Sequence, residues 1–196
     1  MMIEFNIWKE NPQQFIIGAD EVGRGCFAGP IVGCAVKISS KDKKYLSEVK
    51  DSKKLSSKKR NSIFNDIHKA DIVYALSICD NTQIDKYGIQ KANQVVLSDS
   101  INKIKKGTEK IYVDHFKINI SHAISLTRGE DKSLAIALAS IIAKVSRDNY
   151  MIKISNTYPE YDFASNKGYG TLKHRNAIAK YGLTDLHRAS FNLMPK

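Results

Sequence analysis

Cysteine is scarce in this chain. Cys26, Cys34 and Cys79 are its only three, and they form no C-x-x-C spacing. That excludes a disulfide framework and predicts buried thiols in a reducing compartment. Proline is also sparse, with four residues and no Pro-rich hinge. No repeat or low-complexity linker divides the chain, so one domain spanning residues 1–196 is expected. Uncharged runs such as Ser133 to Ala143 are too short to cross a bilayer, which predicts no membrane association. The N-terminus lacks a basic region followed by an apolar one, so no signal peptide is expected and the cytoplasm is the default location. Acid is the last deficit. Twenty Asp and Glu face 31 Lys and Arg, a formal charge of +11. A field of that sign attracts polyanions, and the bases crowd between Lys37 and Arg60.

Against this positive background one stretch sets two acids side by side. Gly18-Ala19-Asp20-Glu21-Val22-Gly23-Arg24-Gly25 follows the apolar run Phe15-Ile16-Ile17, and a second apolar run extends from Ile31 to Ile38 beyond Gly29-Pro30. Both read as strands, which puts Asp20 and Glu21 at a strand end. Successive strand residues point to opposite faces, so the two acids share a site only where the strand twists, ends or bulges. Gly23 and Gly25 permit that irregularity and let main-chain N–H groups approach a ligand, while Arg24 adds a phosphate-seeking fork.

Further along, a helix is expected over about 57–69, capped by Ser56 or Ser57, then a strand over 72–78 and a helical stretch over 82–105. A short strand ends on Asp114, another covers 123–127, and a long apolar helix runs from Lys132. Asp131 stands at its start, in place to act as its N-cap. A last helix is expected over about 172–181. Strands followed by alternating helix and strand indicate an α/β fold with a mixed sheet.

Asp20, Glu21, Asp114 and Asp131 thus fall at strand or helix termini that one sheet edge can gather. Four hard carboxylates without a nearby Cys or His pair favour Mg²⁺ or Mn²⁺ over zinc. Two such ions suit phosphodiester hydrolysis. Ser140, Lys144 and Arg147 share one face of the long helix at i, i+4 and i+7. Tyr169, between Gly168 and Gly170, is a flexible-loop aromatic placed to stack on a sugar or base. Asp148, next to Arg147, reads as a residue for an ion pair or a backbone bond and not for a metal.

Six segments together resemble the bacterial ribonuclease HII family: Asp20-Glu-Val-Gly-Arg-Gly with Ala28-Gly-Pro, Asp51-Ser-Lys-Lys-Leu-Ser, Tyr112-Val-Asp, Ala139-Ser-Ile-Ile-Ala-Lys-Val-Ser-Arg-Asp148, Lys167-Gly-Tyr-Gly-Thr171 and His187-Arg-Ala-Ser-Phe191. They stand in the family's order. The resemblance implies a ribonuclease H-like fold, a five-stranded mixed sheet flanked by helices, with a C-terminal helical extension from about residue 157 that binds substrate. It implies an endonuclease that uses two Mg²⁺ or Mn²⁺ ions to cut the RNA strand of RNA/DNA hybrids and to cut 5′ of single ribonucleotides in duplex DNA, leaving 3′-hydroxyl and 5′-phosphate ends; separately, a monomer is expected. By the same matching, Asp20, Glu21, Asp114 and Asp131 are the metal-binding catalytic acids. Gly23, Arg24 and Gly25 read the 2′-hydroxyl at the RNA-to-DNA junction, and Tyr169 packs on the following deoxyribose. Lys53, Lys54, Ser140, Lys144 and Arg147 are supporting or phosphate-contacting residues. Three positions depart from the pattern. His115 replaces a small residue, Leu138 replaces an alanine, and Glu130 is an additional acid in Arg128-Gly129-Glu130-Asp131 where Lys-Gly-Asp is usual.

Overall fold

The computed structural model describes residues 2–49 and 55–193. Lys53 and Lys54 lie outside the described residues. Five strands form one sheet in the order β3-β2-β1-β4-β5. β1 (Ile16–Val22) and β2 (Ile31–Ile38) are antiparallel, as are β2 and β3 (Tyr74–Cys79). β4 (Lys110–Asp114) and β5 (Ala123–Leu126) run parallel to β1, which makes the sheet mixed as expected.

Helices cover both faces. α5 (Leu134–Ile154) crosses one face and is apolar nearly all round through its first turns, the pattern of a helix buried at the centre of a core. It approaches β1 so closely that a Cβ on Gly18 would lie 2.3 Å from the Ala135 backbone. α1 (Ile3–Glu10), a helix the sequence reading did not anticipate, leans on the start of α5. There the fully buried Glu4 accepts hydrogen bonds from Ser133 Oγ at 2.6 Å and Ala135 N at 3.2 Å. α4 (Ile89–Ile104) covers the opposite face, packing Leu97 and Ile101 on Ile17, Ala19 and Ala35.

The helix expected over 82–105 is two, α3 (Asn81–Tyr87) and α4, because Gly88 adopts φ +81° and turns the chain between them. α2 (Ser57–Lys69) is capped by Ser56, whose side chain accepts from Lys59 N. α5 is capped by Ser133, so Asp131 is not its N-cap. Beyond α5, a short 3₁₀ turn (Pro159–Tyr161), α6 (Phe163–Asn166) and α7 (Leu172–Tyr181) gather around their own apolar cluster of Tyr161, Phe163, Ala177 and Ile178, joined to α5 through Met151. All three cysteines are free and buried, and Leu138 is core. Among the described residues, no helix is long and apolar enough to cross a membrane.

Candidate active site

Register brings the first acids together. Ala19 pairs with Val113 across the parallel β1–β4 ladder, so Asp20 and Asp114 follow at the same end of adjacent strands. Both share the face of Ile16, Gly18 and Tyr112, which point to α5, while Ala19 and Val113 face α4. Glu21 therefore points to the α4 side, beside the buried Asn93. Asn93 helps to lower the Glu21 pKa although neither of its side-chain polar atoms reaches hydrogen-bond geometry. The strand ends one residue later, where Gly23 takes φ +92°.

Charge is concentrated and poorly compensated here. Burial pushes the Asp20 carboxyl well above its ordinary range, and the charges of Glu21 and Asp114 push it further. Ser140, on α5, and the Glu21 N–H at 2.8 Å from Asp20 Oδ1 act in the other direction. Burial, then Asp114, raises Glu21 to about 7 against the opposing pull of Arg24. Asp114 Oδ1 accepts from Gly129 N at 2.5 Å. Among the described residues, no three carboxylate, imidazole or thiolate side chains converge on one point as a closed cage. Magnesium and manganese do not require one, since such ions are usually held by one or two carboxylates completed by water and phosphate oxygens. Buried oxygen donors short of positive partners among the described residues fit that kind of open site.

The fourth acid is not where it was expected. Asp131 is exposed and bound to Arg128, with Oδ2 at 2.7 Å from Nη2 and 2.8 Å from Nε. Glu130 is the buried one, and it lines a cleft of about 190 Å³ with Glu21, Ser140, Lys144 and Arg60. The 3₁₀ turn Gly129–Asp131 turns adjacent side chains in different directions, so only one of two neighbouring acids can face the sheet edge. The signal was present in the sequence: in Lys-Gly-Asp the acid directly follows glycine, and that position is Glu130.

Beside the acids stand two interlocked loops. The first, Gly23 to Pro30, is held from beneath by two fully buried arginines that, among the described residues, have no carboxylate as a hydrogen-bond partner. Arg147 donates to Pro30 O at 2.8 Å, Lys167 O at 2.7 Å and Ala28 O at 3.1 Å. Arg188 donates to Gly23 O at 2.7 Å, Arg24 O at 2.8 Å and Gly29 O at 2.9 Å. Arg147 is thus not presented to a phosphate. Its guanidinium is spent on carbonyls, and it supports the loop. Arg188 had been singled out only as part of a motif, because nothing in a sequence distinguishes a buried guanidinium from a surface one. With the Gly23 and Arg24 carbonyls drawn inward, the Arg24 side chain and Gly25 are left exposed. Arg24 lies over the Phe116 ring at 4.7 Å.

The second loop holds Tyr169. Gly168 O accepts from Phe27 N at 2.7 Å, and a Cβ on Gly168 would lie 2.4 Å from Ala28 O, so the two loops touch backbone to backbone. The Tyr169 ring is half exposed beneath Lys144 Nζ, 5.7 Å from its centroid. Burial and the neighbouring Cys26 raise its hydroxyl pKa to about 12, so the ring stays neutral. Lys144 also pairs with Asp148 at 2.8 Å, the role expected of Asp148. His115 is exposed at φ 53° and does not crowd the acids.

The ribonuclease HII family model matches residues 17–194. A ribonuclease HII of Caldicellulosiruptor bescii is 41% identical over 91% of this chain and 86% of its own length. One from Clostridioides difficile is 43% identical over 90% and 69%. Among solved structures, ribonuclease H2 from Pyrococcus horikoshii superposes with a TM-score of 0.78 at 24% identity, covering 92% of this chain and 95% of that one. A ribonuclease HIII solved with Mn²⁺ gives 0.72 at 21%, covering 93% and 69%. These two likenesses bear on the fold, which is that of the ribonucleases H. With the family model spanning nearly the whole chain and relatives above 40% identity, the chain belongs to the ribonuclease HII family of ribonuclease H endonucleases.

Proposed function

We propose that this enzyme is a divalent-metal-dependent endoribonuclease that hydrolyses the RNA strand of RNA/DNA hybrids and cuts 5′ of single ribonucleotides in duplex DNA, leaving 3′-hydroxyl and 5′-phosphate ends. The observation that supports this most is the adjacency of two different devices: buried, mutually repelling carboxylates at a strand edge, and beside them a loop whose carbonyls are pulled inward by Arg147 and Arg188. Acids alone would suit any phosphodiester. A backbone shaped to approach a sugar suits one that carries a 2′-hydroxyl, the group by which RNA differs from DNA.

Asp20, Glu21 and Asp114, with Glu130 in place of the expected Asp131, are the residues to hold Mg²⁺ or Mn²⁺. When bound, two such ions supply the positive charge that activates water and stabilises the leaving oxygen. Ser140 orients Asp20, and the Gly129 N–H orients Asp114. Backbone groups of the Gly23-Arg24-Gly25 turn, of which Arg24 and Gly25 are exposed, meet the 2′-hydroxyl, and Arg24, steadied on Phe116, meets the adjacent phosphate. Tyr169 packs on the following deoxyribose under Lys144, which contacts the backbone phosphate. Lys53 and Lys54 are further candidates for phosphate contact by their charge. Residues from about 157 onward form the substrate-binding extension of a single catalytic domain, which acts as a cytoplasmic monomer.

The test is an end-labelled DNA duplex with one ribonucleotide, incubated with Mg²⁺ or Mn²⁺ beside an all-DNA duplex and Asp20→Asn protein. A single cut 5′ of the ribonucleotide, missing from both controls, is expected. Binding without cutting, or cutting of the all-DNA duplex, overturns the proposal.

A further inference from the structure

The aromatic cluster behind Tyr169 contains two buried histidines, His174 on α7 and His187 in the tail, with their Nε2 atoms 3.0 Å apart. Neither touches the acids. Their outer partners fix every proton between them. The Thr184 N–H lies 2.9 Å from His187 Nδ1, and a backbone N–H only donates, so that nitrogen accepts and neutral His187 carries its proton on Nε2. That proton points at His174 Nε2, which therefore accepts. His174 is then protonated on Nδ1, which lies 2.9 Å from Tyr169 O, an atom that only accepts. A one-directional chain results, from Thr184 N–H through two neutral imidazoles to the Tyr169 carbonyl.

Another proton fits poorly. An imidazolium at His174 with His187 unchanged would set N–H against N–H across 3.0 Å, and moving the His187 proton to Nδ1 would set it against the Thr184 N–H at 2.9 Å, with only Thr184 Oγ1, also 2.9 Å away, to accept it. The surroundings hold the rings neutral as well. Tyr161 and Phe163 face both rings and Phe27 faces His174, while the charged groups nearby are Arg175 beside His174 and Asp185 beside His187. Burial, then His174, lowers the His187 pKa to about 4. The same tail segment also pairs with the first loop, through the Ala28–His187 bridge and Arg188 N to Phe27 O at 2.8 Å.

We propose that His174 and His187 are positioning residues for substrate: the neutral imidazole chain fixes the Tyr169 carbonyl, and through it the ring and the loop that pack on the deoxyribose beyond the ribonucleotide. The proposal rests on the reading of Tyr169 given above. It separates the pair from mere core packing, because the Tyr169 carbonyl accepts from Thr171 N at 2.8 Å within its own turn and from His174 Nδ1 as its tie to α7, and an apolar side chain of similar size supplies no such second donor.

Two substitutions at His174 test it. In His174→Asn the amide offers a donor near the place of Nδ1–H; in His174→Leu the volume is kept and the donor is lost. Dissociation constants for a ribonucleotide-containing duplex, measured without divalent ions, are compared in the wild-type and Tyr169→Ala backgrounds. Loss of one buried hydrogen bond predicts that Leu weakens binding about tenfold, that Asn restores most of it, and that Leu has less than about a twofold effect once Tyr169 is Ala. Histidine ¹⁵N spectra should show Nδ1–H on His174 and Nε2–H on His187 in the intact protein. Equal loss in both backgrounds, a Leu variant that binds as well as Asn, or a charged imidazole at neutral pH overturns the proposal. If Tyr169→Ala alone leaves binding unchanged, the fault lies in the reading of Tyr169, and the proposal falls with it.

Discussion

The two glycines that bracket Arg24 should respond oppositely to alanine. Gly23 has φ +92°, and a Cβ there would lie 2.2 Å from Arg147 Nε and 2.8 Å from Pro30 O. The left-handed backbone costs an L-residue about 1–2 kcal/mol. The clash costs more, because Arg147 Nε is donating to Pro30 O at 2.8 Å and cannot retreat without leaving carbonyls unpaired in the core. Each buried group so stranded costs about 1–3 kcal/mol. Gly23→Ala should therefore lose about 3–5 kcal/mol. For a domain of this length that corresponds to a fall in Tm of about 6–20 °C. Gly25 has no positive φ, and its Cβ would meet nothing within 4 Å. Gly25→Ala should stay within about 1 kcal/mol of the parent in stability, and its new methyl group projects into the space assigned to the ribose. Urea or thermal unfolding of both variants, paired with binding of a ribonucleotide-containing duplex, is the assay. Equal stability losses would refute the reasoning, because they would mean that the buried guanidinium does not hold the loop.

Glu130→Gln should reduce cleavage at least about a hundredfold, comparable to removal of a strong electrostatic group in other active sites, whereas Asp131→Asn should change it by less than about threefold; steady-state rates with Mg²⁺ decide, and the reverse order would return the fourth position to Asp131. An acid that ionises less readily when folded binds its proton more tightly in the native state, so without metal the raised Glu21 makes stability fall as pH rises from about 4.5 to about 7, by at most about 3 kcal/mol. Divalent ions should cancel that loss, and the gain in Tm on adding Mg²⁺ should be larger at pH 8 than at pH 5; a pH-independent gain would contradict the clustered acids. The depressed His187 acts in the opposite sense, with its contribution complete above about pH 6.5 and lost as pH falls toward 4, a loss that His187→Phe should remove from a stability profile. Ser133→Ala removes the α5 cap and a bond to buried Glu4, and should cost about 2–3 kcal/mol in urea unfolding without changing the metal requirement.

Much of this architecture is legible in the sequence because it rests on local pattern. The strand that ends on Asp114, the helix Leu172–Tyr181 and the cap at Ser56 follow from alternation, helical spacing and capping chemistry. The family motifs lead to Asp20, Glu21 and Asp114 directly. What fails does so for physical reasons. Gly88 divides one helical pattern through a backbone angle that periodicity does not reveal. Asp131 and Glu130 are adjacent and chemically alike, and only the turn geometry of Gly129–Asp131 separates the buried acid from the exposed one. Arg147 sits on the same helical face as Lys144, and only the loop that folds over it decides between the two expected roles, making it a buried support and not a phosphate contact. The bond between His174 and His187 joins residues on α7 and the tail, a contact no spacing rule anticipates.

The most direct measurement of the central claim is the chemistry of the new ends. A duplex with one ribonucleotide, cut to completion with Mg²⁺ or Mn²⁺, is analysed by mass beside the same duplex bearing a 2′-O-methyl group at that position. The account predicts a 3′-hydroxyl on the upstream fragment, a 5′-phosphate on the fragment that begins with the ribonucleotide, and no cut of the methylated duplex. A 2′,3′-cyclic phosphate, or equal cutting of both duplexes, would contradict it.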